Sequence, residues 1–358
     1  MRIHQVLVGA REGDAITQIA LNLQAVVREF GSAELFARHV DPTVAGRVRS
    51  IDELAGSTSP SDVVLLHVSI GDDVVWDAVV ATGARIWVSY HNITPASFFA
   101  ADPGFSAQLE RGRQQLHDLG PRIERVFTES DFNRRDLETM GIEGAVVLPG
   151  MLDPFRLTGL PSDPHFGRQV IDRTPGALIL FVGQILPHKR PDLLVAAHHL
   201  IVSHHLPDAT LVLAGHHPSV RFARQLSDFA ASLGLGRRVW ITGGLPDSRL
   251  AELYRRADVL VTASQHEGLC LPVLEAMAMS VPVVVSDHGA LPETVGDCGI
   301  VVTCDSAPGY AEALVMALEP ERRTSMVLRG RARARSLSLD RASAAAAAAI
   351  RPWLDPPR

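Results

Sequence analysis

Short apolar runs alternate along this chain with segments of helix length, and that alternation restricts the fold more than any other feature. In the first half the runs are 3-IHQVLVG-9, 62-DVVLLHV-68, 84-ARIWVSY-90, 124-ERVFTES-130 and 145-AVVLPG-150. Helix-length amphipathic segments lie between them at about 15–30, 72–82, 105–119 and 131–140. Strands covered on both faces read as continuous apolar runs, and a strand–helix–strand order leads to parallel pairing. The pattern therefore predicts an α/β chain with parallel sheet and helices on both faces. The stretch 149-PGMLDPFRLTGLPSDPHFG-167 breaks the rhythm and reads as a linker. The alternation then restarts with 177-ALILFVG-183, 209-ATLVLAG-215, 237-RRVWITG-243, 258-DVLVTAS-264, 281-VPVVVS-286 and 299-GIVVT-303. Helices are expected there at about 191–204, 219–233, 247–257, 272–280 and 308–319. Two doubly wound units in tandem follow, an N-terminal domain over 1–165 and a C-terminal one over 166–335. The Ala-dense tail, 336–358, favours helix and is expected to pack back on the N-terminal domain. Ligands of such sheets bind beyond the carboxyl ends of the strands, so the expected site is a cleft between the two domains.

Composition narrows the function classes. Apolar residues make up 46 % and charged residues 21 %, as in a globular chain with a large core. The net charge is −6, unevenly spread: residues 1–165 hold 14 Arg against 22 Asp and Glu. Neither half offers the dense basic face that nucleic acid or anionic lipid would favour. Three cysteines, Cys270, Cys298 and Cys304, lack regular spacing and read as reduced thiols of a cytoplasmic protein. The opening MRIHQVLVGAREGD is too short an apolar run for a secretory leader, and no run of 18 apolar residues is present.

Chemistry is expected first in 264-SQHEGLCLPVLEAMAMSVPVVVS-286. A buried strand leads to a loop holding Gly268, and Pro272 suits the first turn of the following helix. Backbone N–H groups near 269–273, with the positive end of the helix dipole, suit a phosphate or diphosphate. Glu275 stands one turn into that helix, where a carboxylate can accept from a vicinal diol such as a ribose. Glu267, on the loop, can reach the hydroxyls of whatever the phosphate carries. Lys189 is the single lysine of the chain beside 33 arginines, and it follows a strand and precedes a helix opening at Pro191. An ammonium on a flexible stem is a compact charge that grips a phosphate from several angles and releases it. Histidines pair at 198–199, 204–205 and 216–217; those on helices point about 100° apart and do not chelate, no H-x3-H with a third ligand emerges, and no catalytic metal is expected.

The block from Glu267 to Glu275, EGLCLPVLE, resembles the E-x7-E motif of the retaining nucleotide-sugar glycosyltransferases of family four. The stretch 182-VGQILPHKRPDLLVAA-197 resembles that family's phosphate-binding segment, and 250-LAELYRRADVLVTAS-264 and 281-VPVVVSDHGALPETVGDCG-299 look like its donor domain. The resemblance covers essentially the whole second half. It implies a GT-B fold of two Rossmann-like domains facing a cleft. It also implies Glu275 on the ribose, Glu267 on donor-sugar hydroxyls, Lys189 on the diphosphate, and amides of Gly268, Leu269 and Leu271 around sugar and phosphate. Gln184 stands where the family usually has Arg, which shifts charge stabilisation onto Lys189 and the helix terminus.

The first half is more diverged. The family's glycine-rich loop corresponds to 9-GAREGDAI-16, with Gly13 and Asp14 where two glycines are common. A carboxylate there repels a diphosphate, so Asp14 is expected to face an acceptor. The stretch 87-WVSYHNITP-95 resembles a segment found in part of the family and would put His91 at a strand end facing the donor sugar. In 128-TESDFNRRDL-137, Ser130 reads as a helix N-cap, with Asn133 and Arg134 as weaker site candidates. The implied activity is retaining transfer of a hexose-type sugar from a nucleotide diphosphate sugar to a hydroxyl of a small-molecule or glycan acceptor, without a cofactor. The alternatives are a catalytically inactive nucleotide-sugar binder and a GT-B epimerase. Phe98 and Phe99 leave room for peripheral membrane contact.

Overall fold

The computed structural model describes residues 2–353. Among these, the chain divides into two compact units, one of residues 2–152 with 337–353 and the other of Asp153–Ser336. The first is built on seven parallel strands: β1 (Ile3–Ala10), β2 (Leu35–Val40), β3 (Val48–Ser50), β4 (Val63–Val68), β5 (Arg85–Tyr90), β6 (Ile123–Thr128) and β7 (Val146–Val147). Their order across the sheet is β3-β2-β1-β4-β5-β6-β7. Successive side chains leave opposite faces, so Val6 joins Phe36, Val64, Leu66 and Val88 in one core while Leu7 joins Ala20, Leu35 and Ala37 in another. Both faces are apolar because helices cover both.

The sequence pattern did not reveal β2 and β3. β2 is buried over Leu35–Ala37, but Arg38 and His39 are exposed at its carboxyl end, which breaks the apolar run. β3 has three residues at the sheet edge. The helix Leu339–Ile350 packs on the helix Ala15–Val27 and buries Ala342, Ala346 and Ile350.

The second unit has β8 (Leu178–Val182), β9 (Thr210–Ala214), β10 (Val239–Gly243), β11 (Val259–Thr262), β12 (Val283–Ser286) and β13 (Ile300–Val302), all parallel, in the order β10-β9-β8-β11-β12-β13. The expected helices are present, including Pro191–His204 and Leu271–Ala278. The Arg-rich helix Pro320–Ser336 was not anticipated, because its buried stripe is thin: Met326, Gly330 and Ala334.

The expected boundary at 165/166 and the observed division after Leu152 differ for a physical reason. The stretch read as a linker is anchored. Ser162 Oγ donates to Glu252 Oε1 at 2.6 Å, the Asp163 amide donates to the same oxygen at 3.1 Å, and Asp163 caps the helix Pro164–Arg173. In each sheet the strand order reverses once, between β1 and β4 and between β8 and β11. Loops leaving the carboxyl ends of strands beside such a reversal diverge and open a crevice.

Candidate functional site

The two motifs of the second unit meet at its strand-order reversal. β8 runs through Gly183 and the exposed Gln184 into a single tight turn, Pro187–Lys189. Arg190 then takes the left-handed conformation (φ 50°), and the helix starts at Pro191. β11 runs into the loop holding Glu267. The Gln265 amide donates to the His188 carbonyl at 2.8 Å and ties the loops together. Lys189 Nζ donates to Glu267 Oε1, with both side chains mostly buried. Burial first, and then the neighbouring ammonium, pushes the His188 imidazole down to about 4, so it adds no positive charge. Gly289 (φ 63°) braces the loop from below. A Cβ there would lie 2.6 Å from the Glu267 carbonyl oxygen, and the next amide, Ala290, donates to that oxygen at 2.8 Å.

The helix Leu271–Ala278 starts beside this pair. Cys270 precedes it with φ 71°, and no side chain caps it among the described residues. The stretch of amides expected over 269–273 is narrower than the sequence suggested. Pro272 has no N–H, and the Val273 amide donates to the Cys270 carbonyl at 3.1 Å. Gly268, Leu269 and Leu271 are half-buried there, with the Leu269 carbonyl accepting from Thr294 Oγ. The uncapped end, with Lys189 and Glu267 at its mouth, can hold an anion that carries hydroxyls.

Glu275 is only 1 % exposed. Its Oε1 accepts from Arg156 Nε at 2.6 Å and its Oε2 from the Tyr254 hydroxyl at 3.0 Å. Arg156 Nη1 also pairs with Asp247 at 2.7 Å. Burial raises the carboxyl above its usual range, and Arg156 and then Tyr254 pull against that rise. Sequence reasoning missed both partners. The signal for Arg156 was a lone cation in a stretch otherwise rich in Pro and Gly.

In the first unit a cavity of about 710 Å³ opens at the β1/β4 reversal, lined by Gly9, Ala10, Arg11, Asp14, Asp41 and His67 among others. Asp14 does not stand free there. Its Oδ2 accepts from the Thr17 amide and hydroxyl, both at 2.9 Å, and caps the helix Ala15–Val27. Gly13, with φ 76°, makes the turn before it. Ser130 caps the helix Asp131–Thr139, and Arg134 is spent on Asp131 and Glu138 along that helix.

His91 was expected to face a sugar, but both its ring nitrogens are engaged. Nδ1 lies 2.5 Å from Glu129 Oε1, and Nε2 lies 2.7 Å from His67 Nδ1. His67 Nε2 lies 2.8 Å from Gln5 Oε1, and Gln5 Nε2 donates to the Ala20 carbonyl at 3.0 Å. The direction of every bond follows from the last one. Gln5 presents oxygen to His67, so His67 donates from Nε2. His67 is neutral, held well below its ordinary value by burial and then by His91, so its Nδ1 accepts. His91 must therefore donate from Nε2, and one further proton lies between its Nδ1 and Glu129. Gln5 and His67 lie within β1 and β4, and His91 and Glu129 stand one residue past the ends of β5 and β6, so the chain Glu129–His91–His67–Gln5 runs across four strands that neighbour in sheet order. Asn133 belongs to the same buried set, accepting from Asn92 at 2.8 Å. The signal missed was a polar residue inside a buried strand, as at Gln5 and His67.

A family model described as "Glycosyl transferases group 1" matches residues 168–334. A D-inositol 3-phosphate glycosyltransferase of Actinosynnema mirum is 30 % identical over 284 residues, 74 % of this chain and 66 % of the relative. The protein of that name from Nocardia farcinica is 33 % identical over 268 residues, 72 % of this chain and 57 % of the relative. The chain spans less than two thirds of the length of these relatives. Among solved structures, sucrose-phosphate synthase from Thermosynechococcus elongatus is similar with a TM-score of 0.76 at 18 % identity, covering 98 % of each chain. Anabaena HepE in complex with UDP-glucose is similar with a TM-score of 0.77 at 16 % identity, covering 98 % of this chain and 100 % of that one.

Proposed function

We propose, from the group 1 glycosyl transferase match over residues 168–334 and the GT-B fold of two Rossmann-like domains, that the chain moves a hexose from a nucleotide diphosphate sugar to a hydroxyl of a small-molecule or glycan acceptor, with retention. The observation that carries this reading is the meeting of Lys189 and Glu267 beside the uncapped start of Leu271–Ala278. Lys189 takes the diphosphate, Glu267 the sugar hydroxyls and Glu275 the ribose. Lys189 and Glu267 pair with each other, so a diphosphate competes with Glu267 for the ammonium. Breaking the sugar–phosphate bond leaves an oxocarbenium-like sugar and a dianionic leaving group. Lys189 and the helix terminus stabilise that departing charge. The acceptor hydroxyl enters on the side the leaving group vacates and passes its proton to the departing phosphate. No divalent ion takes part.

The acceptor occupies the first-unit cavity. Asp14 remains a cap there, so it shapes the wall and binds no donor phosphate. His91 acts through the hydrogen-bonded chain and not through a free ring nitrogen. Arg11 and His39 in the same lining suit an acceptor bearing both hydroxyls and an anionic group, in keeping with the relatives named for D-inositol 3-phosphate. Incubation with UDP- and GDP-hexoses and inositol phosphate, with the product anomer read by NMR and EDTA added in parallel, tests the reading. Retained configuration and indifference to EDTA are expected. An inverted anomer, or loss of transfer with EDTA, overturns it. The exposed, uncharged Gln184 favours a second reading, a nucleotide-sugar binder without turnover. Thermal stabilisation by nucleotide with neither transfer nor donor hydrolysis identifies that case.

A further inference from the structure

Arg156 belongs to none of the motifs that suggest the chemistry, yet it reaches across 119 positions of sequence to the second glutamate of the EGLCLPVLE block. We propose that Arg156 is a positioning residue of the nucleotide site, holding the Glu275 carboxylate ionised and oriented to receive a ribose diol. This rests on the reading that Glu275 takes the ribose.

Three observations support it. The guanidinium is held at two points, Nε on Glu275 at 2.6 Å and Nη1 on Asp247 at 2.7 Å, so its plane and that of the carboxylate are mutually fixed. The other carboxylate oxygen is fixed by Tyr254, a fully buried side chain whose hydroxyl also lies 3.2 Å from the Pro272 carbonyl. A carboxylate oxygen accepts two hydrogen bonds. One contact on each oxygen therefore leaves one acceptor position on each, the number that a vicinal diol needs. Without the guanidinium, a carboxyl this deeply buried keeps a single donor and takes up a proton, because an isolated charge is not tolerated there. The protonated group offers a donor where the diol requires an acceptor. Arg156 lies in a segment already anchored through Ser162 and Asp163, so its placement does not depend on a bound ligand.

The test compares the binding of UDP and GDP with that of their 2′,3′-dideoxy forms by calorimetry. Wild type, Arg156→Lys, Arg156→Gln and Arg156→Ala are measured, with folding checked by circular dichroism. Wild type is expected to prefer the hydroxylated nucleotides. Arg156→Ala and Arg156→Gln are expected to lose about tenfold of that preference while binding the dideoxy forms as wild type does, and Arg156→Lys to recover part of it. Should Arg156→Ala not fold, the polar, uncharged Arg156→Gln decides. An unchanged preference in a folded Arg156→Gln overturns the proposal. So does tighter binding of the hydroxylated forms, which would make Arg156 a competitor for the carboxylate. A wild type that does not discriminate between the two forms instead overturns the ribose role of Glu275 itself.

Discussion

Lys189 sits where an ammonium does something that a guanidinium does not. In a chain of 33 arginines it is the cation at the strand-order reversal, on a single tight turn, with Glu267 as its partner. A small strongly hydrated charge can exchange one anionic partner for another, whereas a guanidinium held bidentately resists release. Lys189→Ala is expected to lower kcat/KM more than tenfold, about 1.4 kcal/mol of transition-state stabilisation. Steady-state kinetics on donor and acceptor check it, and a smaller loss refutes the role. The placement of Lys189, Glu267 and Glu275 near one helix start was legible from residue type and spacing alone. Their partners were not, because ion pairing is a long-range event. Nothing local to Glu275 points to Arg156, and nothing near His91 announces that Glu129 and His67 take both its nitrogens.

At the scale of elements, the polar chain through Gln5, His67, His91 and Glu129 links β1 and β4 to the residues just past the ends of β5 and β6. Glu129→Gln replaces the acceptor facing His91 Nδ1 with an amide that can donate, so the chain is satisfied with one proton fewer. The variant is expected to fold. Its nitrogen-15 imidazole spectrum should show His91 protonated on Nε2 alone, with His67 unchanged. A shift of His67 to the other tautomer contradicts the bond directions derived above.

A second prediction concerns acid. His67 is held well below its ordinary value, and His188 and His198 are pushed down to about 4 from 6.5, in each case chiefly by burial. Below pH 6.5 the unfolded chain binds protons that the folded chain refuses. Stability therefore holds above that value and falls as pH drops toward 4, by at most ~1.4 kcal/mol per pH unit for each histidine. Thermal melts at pH 7.5, 6 and 5 should show a progressive fall in Tm, and a flat profile would exclude this burden. Most of these elements were readable from the alternation of apolar runs. Among those missed, β2, β3 and Pro320–Ser336 have too few buried side chains to print a period on the sequence, and the helix Pro164–Arg173 starts inside the stretch read as a linker.

For the whole molecule, the division of the chain into units is not the division read from composition. A stretch rich in proline and glycine looks like a tether, yet its hydrogen bonds to Glu252 fix it to the second unit. The chain later returns to the first unit at Leu337, and Ile350 is 2 % exposed against helix Ala15–Val27. Burying one such side chain is worth about 1.5–3 kcal/mol. Truncation after Ser336 is thus expected to destabilise the first unit by about 3 kcal/mol or more and to leave the second unchanged. Differential scanning calorimetry would show one transition shifted and the other in place, and two unmoved transitions would refute the assignment. The same return path sets an order for synthesis. Domains ordinarily acquire their structure in the sequence in which the ribosome delivers them. Here the earliest-made unit must wait, its surface around Ile19 and Leu23 uncovered, until the later one has emerged in full and the closing helix arrives behind it.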